Sequence, residues 1–295
     1  MQVVAAVPNF NMRDSLGRLL ASLRGEDFGR VYVLDDASTD GSADYVAADF
    51  PWVTLVRGER NAGAAANRNR LLPLLSGDEG VLFIDADLEL RSAGLAPVVR
   101  GWLADDGLGM VGGLLVDQQG QPSAWNYGWT MNPVRDAREQ IIATLATMAE
   151  PGSALLEVLR NIAASLRTSL NLEIRHAAPV SRDVEWVSEA LFAIRARQFG
   201  ELGGYDERFR YHSGQDLCLR LRQAGRRVRF DPAIEACHLE IDVRGERRRD
   251  DYLEGQYLFY NKHLGMSRPV FDFLMSGGAA PLGIYLNDPS HTHRR

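Results

Sequence analysis

Two short acidic segments carry the residues best suited to chemistry. Asp85-Ala86-Asp87 follows the apolar run Gly80-Val81-Leu82-Phe83-Ile84, and Asp35-Asp36-Ala37-Ser38-Thr39-Asp40-Gly41-Ser42 follows Val31-Tyr32-Val33-Leu34. A buried strand that stops on two carboxylates, one residue apart, points both charges out of the end of its sheet. Such carboxylates repel each other unless a cation or buried donors hold them. Hard oxygen ligands on one short segment suit Mg2+ or Mn2+, ions that commonly also take oxygens from a substrate phosphate. Two acidic strand ends in one α/β region imply a ligand site, because ligands bind beyond the carboxyl ends of such strands. Asp35–Ser42 alone would also suit a turn and helix N-cap, since Ser, Thr and Asp accept backbone N–H bonds there. The second acidic strand end favours a site.

These segments need a scaffold, and the first 120 residues or so supply one. Strand-like runs at Val3–Val7, Arg30–Asp35, Trp52–Arg57, Val81–Asp85 and Gly109–Val116 alternate with helical stretches at Asp14–Leu23, Ala43–Ala48, Ala62–Leu75 and Ala93–Leu103. The helical stretches place apolar residues three or four apart. That alternation predicts an α/β fold whose mostly parallel sheet is flanked by helices. No Gly-x-Gly-x-x-Gly follows the first strand, so a dinucleotide site is not supported. Pro133–Ile174 reads as an inserted helical hairpin broken at Glu150-Pro151-Gly152, either packed on the core or serving as a lid or acceptor platform. The loop before it, Ser123–Trp129, carries aromatics of the kind that stack on sugar rings. Strands then return at Glu185–Val187 and Leu191–Ile194, with a helix at Asp216–Ala224, a strand at Arg227–Phe230, and a polar helix at Glu246–His263 before the tail.

Composition excludes several classes. The 295 residues carry 45% hydrophobic and 24% charged residues, as ordinary globular chains do. A net charge of −6 argues against nucleic acid as a partner. Lys262 is the only lysine, which removes most lysine-centred chemistry, and Cys218 and Cys237 are too few for a disulfide framework. A strand is expected from the first residues and a secretory leader is not expected, and no apolar run is long enough to span a bilayer. A cytoplasmic enzyme is expected, with peripheral contact at the inner face of the membrane left open. Oligomeric state is not readable.

Taken together, the segments resemble the family 2 glycosyltransferases, more loosely their rhamnosyltransferase-like branch. The resemblance rests on Pro8-Asn9-Phe10-Asn11, Asp35–Ser42, Asn61-Ala62-Gly63 with Ala66-Asn67-Arg68-Asn69, Asp85–Asp87, Trp186-Val187-Ser188, Gly203–Phe209, Asp216–Gly225 and Pro232 through His238. It covers about residues 1–117 and 184–265. It implies a GT-A fold: 1–117 as the nucleotide-sugar half, 118–182 as a helical insertion and acceptor region, 183–265 as the acceptor and catalytic half of the same domain, and 266–295 as a C-terminal tail. It implies that Pro8 and Phe10 line the nucleotide base and that Asp36 accepts the base's ring N–H. Arg68 would approach the pyrophosphate, and Asp85 would orient the donor's ribose or sugar. Asp87 and His238 would bind Mn2+ or Mg2+, imidazole being an acceptable ligand for Mn2+ when oxygens fill the other positions.

The implied reaction is metal-dependent sugar transfer from a UDP- or dTDP-sugar to a hydroxyl acceptor (a glycan, a lipid-linked molecule or a small molecule), with inversion the family expectation and retention left open. One departure matters. Where inverting members carry a Glu-Asp pair before the Asp-Leu-x-x-Arg helix, this chain has Ser213-Gly214. Three residues could replace the missing base, in order of preference Asp216, Glu189 and His212. Asp216 is also suited to a helix start, Glu189 stands where the family usually has a small residue, and His212 has an imidazole suited to proton transfer. An inactive nucleotide-sugar-binding protein and a nucleotidyltransferase are the alternatives.

Overall fold

The computed structural model describes residues 1–123, 125–134, 136–137, 158, 179–239 and 248–275. The chain clusters into two compact units, Met1–Thr130 with Ile174–Gly255, and Met131–Glu173 with Gln256–Arg295.

The first unit is built on one nine-stranded sheet. Its strands are β1 (Val3–Asn9), β2 (Arg30–Asp35), β3 (Thr54–Arg57), β4 (Gly80–Ile84), β5 (Leu88–Leu90), β6 (Leu108–Val116), β8 (Arg182–Val184), β10 (Leu191–Arg195) and β11 (Arg227–His238). The order is β3-β2-β1-β4-β10-β6-β11-β5, with β8 paired to β11. β3, β2, β1 and β4 run parallel, as does the β6–β11 pair; β10 is antiparallel to both its neighbours, and β5 and β8 are antiparallel to β11. β1, β4 and β6 are apolar and almost wholly buried, the composition expected of strands covered on both faces. A separate two-stranded ribbon pairs β7 (Tyr127–Gly128) with β9 (Trp186–Val187).

Helices α1 (Arg13–Leu23), α2 (Ser42–Asp49), α3 (Ala64–Asn69), α4 (Leu95–Trp102), α5 (Ala196–Glu201) and α6 (Ser213–Gln223) belong to this unit. In α1, Leu16, Leu19, Leu20 and Leu23 recur at helical spacing and are buried in the core. Phe83 of β4 stacks on Phe192 of β10 at 4.8 Å, and Phe199 of α5 meets Phe83 edge-on at 5.7 Å. This aromatic packing fixes β10 against β4 and with it the residues just before β10, which enter the site.

Two differences from the sequence expectation bear on that site. β11 does not stop at Phe230 but continues through Pro232 to His238. Proline has no N–H for a ladder, and here it falls in a gap: β8 pairs with Val228–Phe230 and β5 with Ala236–His238. A register shift against β6 spans the same residues. Helix α6 begins at Ser213, three residues before the expected start.

In the second unit, residues 256–264 complete α7 (Arg248–Leu264), and α8 (Arg268–Met275) occupies the start of the segment expected to be a tail. Gln256 and Tyr260 donate to the Asp136 carboxylate, and Phe271 is buried. The expected hairpin over Pro133–Ile174 and the tail beyond Met275 lie largely outside the described residues. No described helix is long and apolar enough to cross a membrane.

Candidate active site

The sheet delivers the acidic residues to one edge. β1 ends at Asn9, β2 at Asp35 and β4 at Ile84, immediately before Asp85. β10 is antiparallel to β4 with Leu191 opposite Ile84, so the residues preceding β10 arrive at the same edge. The Asp85 N–H donates to the Ala190 carbonyl at 2.8 Å, fixing Glu189 near Asp85. β11 ends there too: His238 pairs with Leu88, and the Leu239 N–H donates to the Asp87 carbonyl at 3.0 Å. Residues from five separate parts of the chain therefore meet.

Their side chains form a charged cluster. Arg68 of α3 is buried and donates through Nη2 to Asp85 Oδ1 at 2.6 Å and to the Glu189 carbonyl at 3.1 Å. Burial opposes the charge on Arg68, but Asp85 and Glu189 outweigh it and hold its pKa above the ordinary guanidinium value. Burial pushes the Asp85 carboxyl up, Arg68 pulls it down, and Asp87 adds to the rise. Asp85 remains 28% exposed despite the pair. Asp87 is 6% exposed, and its Oδ2 faces His238 Nε2 at 3.3 Å.

The Asp35–Ser42 block divides its carboxylates among structural tasks. Asp35 accepts from Asn9 Nδ2 at 2.9 Å and from the Ser38 N–H at 3.0 Å. Asp40 accepts from the Arg13 and Ser42 N–H groups, the first residues of α1 and α2, and so ties the two helix starts together from outside both N-cap positions. Asp36 takes the Ala62 and Gly63 N–H groups, with the Arg70 guanidinium on Oδ1 at 2.9 Å. Through these contacts Asp36 anchors the Asn61–Gly63 turn against the end of β2. Pro8 and Phe10, half-buried at the end of β1, lie on the same edge.

The three candidate bases sit differently. Asp216, in the first turn of α6, is fully buried and accepts from Arg220 Nε at 2.8 Å. Arg220 continues to the Leu202 and Gly204 carbonyls, so this pair ties α6 to the turn after α5. His212 stands before α6 with φ at 65°, buried against the Tyr252 ring at 4.6 Å. Burial pushes its imidazole down to about 4. Glu189 is half-buried, and Ser213 Oγ lies 3.1 and 3.0 Å from its two carboxylate oxygens. A Cβ on Gly214 would sit 2.8 Å from Glu189 Oε2. The Glu189 carboxylate thus lies over the pair of positions where the resemblance expects acidic residues, and Gly214 leaves room for it.

Residues 5–165, more than half of the chain, match the family model described as Glycosyl transferase family 2. The chain belongs to that family. Among curated proteins it is similar to a pre-mycofactocin glycosyltransferase of Mycobacterium tuberculosis, 30% identical over 243 residues, 80% of this chain and 42% of that protein. It thus spans less than half the length of that relative. It is also similar to the N-acetylglucosaminyl-diphospho-decaprenol L-rhamnosyltransferase of the same organism, 27% identical over 90% of this chain and 86% of that protein. Two solved structures share the fold. A mannosyltransferase from Pyrobaculum calidifontis, in complex with GDP-Man and Mn2+, has a TM-score of 0.56 at 18% identity, covering 96% of this chain and 74% of that one. GalNAc-T7, with UDP, GalNAc and Mn2+, has a TM-score of 0.59 at 17% identity, covering 96% and 53%. The GT-A type of α/β fold is thereby established.

For a family 2 glycosyltransferase, the donor set at the sheet edge is a partial one. Among the described residues no three or more His, Cys, Asp or Glu side chains are grouped to hold a metal ion. Asp87 and His238 supply one hard oxygen and one imidazole facing each other, which fits Mn2+ or Mg2+ when phosphate oxygens and water complete the shell. Ser213, singled out in the sequence only as a departure, holds Glu189. Two contributors had no role assigned from the sequence: Arg70, paired with Asp36 at 2.9 Å, and Tyr205, under the Arg68 guanidinium at 5.8 Å. The exchange at 189 and 214 was visible, as an acidic residue where a small one is usual and a glycine where an acid is usual.

Proposed function

We propose that this chain is a metal-dependent glycosyltransferase that moves a sugar from a UDP- or dTDP-sugar to a hydroxyl acceptor with inversion, using Glu189 as the base. The observation that carries this reading is the Glu189 carboxylate held by Ser213 over Gly214, beside the Arg68–Asp85 pair. Asp216 is less suited, because a carboxylate fully buried in an ion pair cannot reach an acceptor proton, and general-base catalysis requires that reach. His212 is buried as well.

In this mechanism Glu189 takes the acceptor hydroxyl's proton as that oxygen attacks the anomeric carbon. The bond from that carbon to the diphosphate oxygen breaks, and its electron pair leaves with the nucleoside diphosphate. Asp87 and His238 would hold the divalent ion, which when bound neutralises charge developing on the leaving group. Asp85, fixed by Arg68, would orient the donor, and Pro8 and Phe10 would flank its nucleotide base.

Incubating the protein with a panel of UDP- and dTDP-sugars and Mn2+ tests the reading through the product. Nucleoside diphosphate release, abolished by EDTA and reduced on the order of 10²-fold or more by Asp87→Ala, is expected. Pyrophosphate release would indicate nucleotidyl transfer, and release of neither product would indicate a binding protein.

A further inference from the structure

The β7–β9 ribbon and the loop before it present two large aromatic side chains to solvent. Trp125 is 62% exposed and Trp129 57%. Tryptophan is highly buried on average, and leaving two such rings wet forgoes a large burial gain. The exposure does not come from a loose loop. Asn126, between them, is fully buried, accepts from the Leu115 N–H at 2.6 Å, and donates to the Leu115 and Ser123 carbonyls at 2.9 Å. Trp186 Nε1 donates to the Trp129 carbonyl at 2.8 Å, and Arg222 donates to Thr130 Oγ1 at 2.7 Å. The backbone that carries both rings is therefore fixed at each end.

That backbone is joined directly to the proposed base. The Ser188 N–H, adjacent to Glu189, donates to the Asn126 carbonyl at 2.9 Å. A molecule offering a hydroxyl to Glu189 would thus meet this loop next. The surroundings identify its chemistry. Gln118, Gln119 and Gln121 are exposed just upstream. The arginines that reach this stretch from elsewhere are engaged: Arg222 with Thr130 and Glu185, Arg91 with Glu235, and Arg182 over the Tyr127 ring at 5.7 Å. Neutral amides and indole rings suit sugar hydroxyls and sugar C–H faces, whereas an anionic lipid surface calls for basic groups left open to it.

We propose that Trp125 and Trp129 form an acceptor subsite that stacks on a sugar ring of a saccharide acceptor. The proposal rests on Glu189 as the base for its placement, but it can fail independently. The test is intrinsic tryptophan fluorescence of the full chain, titrated with a panel of p-nitrophenyl glycosides and short linear hexose and rhamnose oligosaccharides. Quenching by at least one saccharide is expected, with an affinity, read as the titration midpoint on the remaining tryptophans, weakened about tenfold in Trp125→Ala and in Trp129→Ala and largely restored by Trp125→Phe, with UDP or dTDP affinity unaltered. Quenching by no saccharide, or a midpoint in both alanine variants equal to the parent's, overturns the subsite. A spectral shift only on phosphatidylglycerol vesicles overturns it too and assigns the rings to a membrane surface. Glu189→Gln separates the two readings: retained saccharide binding with turnover lost supports both, and retained binding with turnover intact removes the base while leaving the subsite standing.

Discussion

Glu189→Gln and Asp216→Asn should fail in opposite ways, and the contrast tests which carboxylate does chemistry. Glutamine at 189 keeps the shape and can still share hydrogen bonds with Ser213 Oγ, now 3.1 and 3.0 Å from the two carboxylate oxygens. It cannot accept the acceptor's proton. Loss of a general base costs about 10²–10⁴ in rate, or roughly 3–5 kcal/mol of barrier, while stability should change by less than about 1 kcal/mol. Asparagine at 216 removes the charge from a fully buried carboxylate and leaves Arg220, whose side chain is 16% exposed, without its counter-ion. Stripping one partner from a buried pair costs about 3 kcal/mol, a fall of about 6–12 °C in Tm for a chain of this size.

The assay compares single-turnover rates with saturating donor against thermal melts of the same preparations. Glu189→Gln should melt like the parent and turn over on the order of 10²-fold or more slower. Asp216→Asn should melt early and, well below its transition, turn over nearly normally. The reverse pattern, a stable Asp216→Asn protein with a collapsed rate and an active Glu189→Gln protein, would refute the assignment.

Two further outcomes follow from the same geometry. Gly214→Ala should gain helix propensity of up to about 1 kcal/mol, yet its Cβ would stand 2.8 Å from Glu189 Oε2; a slower enzyme with an unchanged or higher Tm is expected from melts and rates run together. Burial lowers the His212 imidazole from 6.5 to about 4, so between those values the unfolded chain binds more protons than the folded one. The contribution to stability is then complete above pH 6.5 and lost as pH falls to 4, up to about 3 kcal/mol. Urea melts of His212→Asn, which tolerates the positive φ, should show a shallower decline over that window; an identical decline removes His212 as its source.

The donor side was legible because its signals are local. An apolar run followed by acid marks a strand end, and Arg30–Asp35 falls on β2 without adjustment. The helix stripes likewise mark α1 and α2 to within a residue of their observed ends. Other features depend on partners distant in sequence. Proline at 232 argues against a strand until the β8 and β5 pairings show that its missing N–H falls between them. That Asp36 also anchors a turn depends on the Ala62 and Gly63 N–H groups, 26 and 27 residues away. Asp216 reads as a helix-start residue because the apolar pattern begins there. The helix starts at Ser213 instead, and that shift puts Asp216 in the first turn, buried against Arg220.

A catalytic base is defined by where its oxygens lie, and the sheet explains how that position can be reached from two places in the chain. β10 runs antiparallel beside β4, so the residue two before its start stands next to Asp85. Helix α6 opens at the same spot, because Ser213 Oγ reaches Glu189 across 24 residues of sequence. Both segments therefore border the space that the Glu189 carboxylate occupies. A Cβ at 214 would sit 2.8 Å from Glu189 Oε2, so a side chain there would push that carboxylate aside. Placing the carboxylate on the strand side also joins it to the β7–β9 ribbon, since Ser188 is bonded to Asn126 between the two exposed tryptophans. On this reading one short stretch, Trp186–Glu189, positions both the group that takes the acceptor's proton and the surface on which the acceptor rests. A base on the helix side would lack that direct backbone tie.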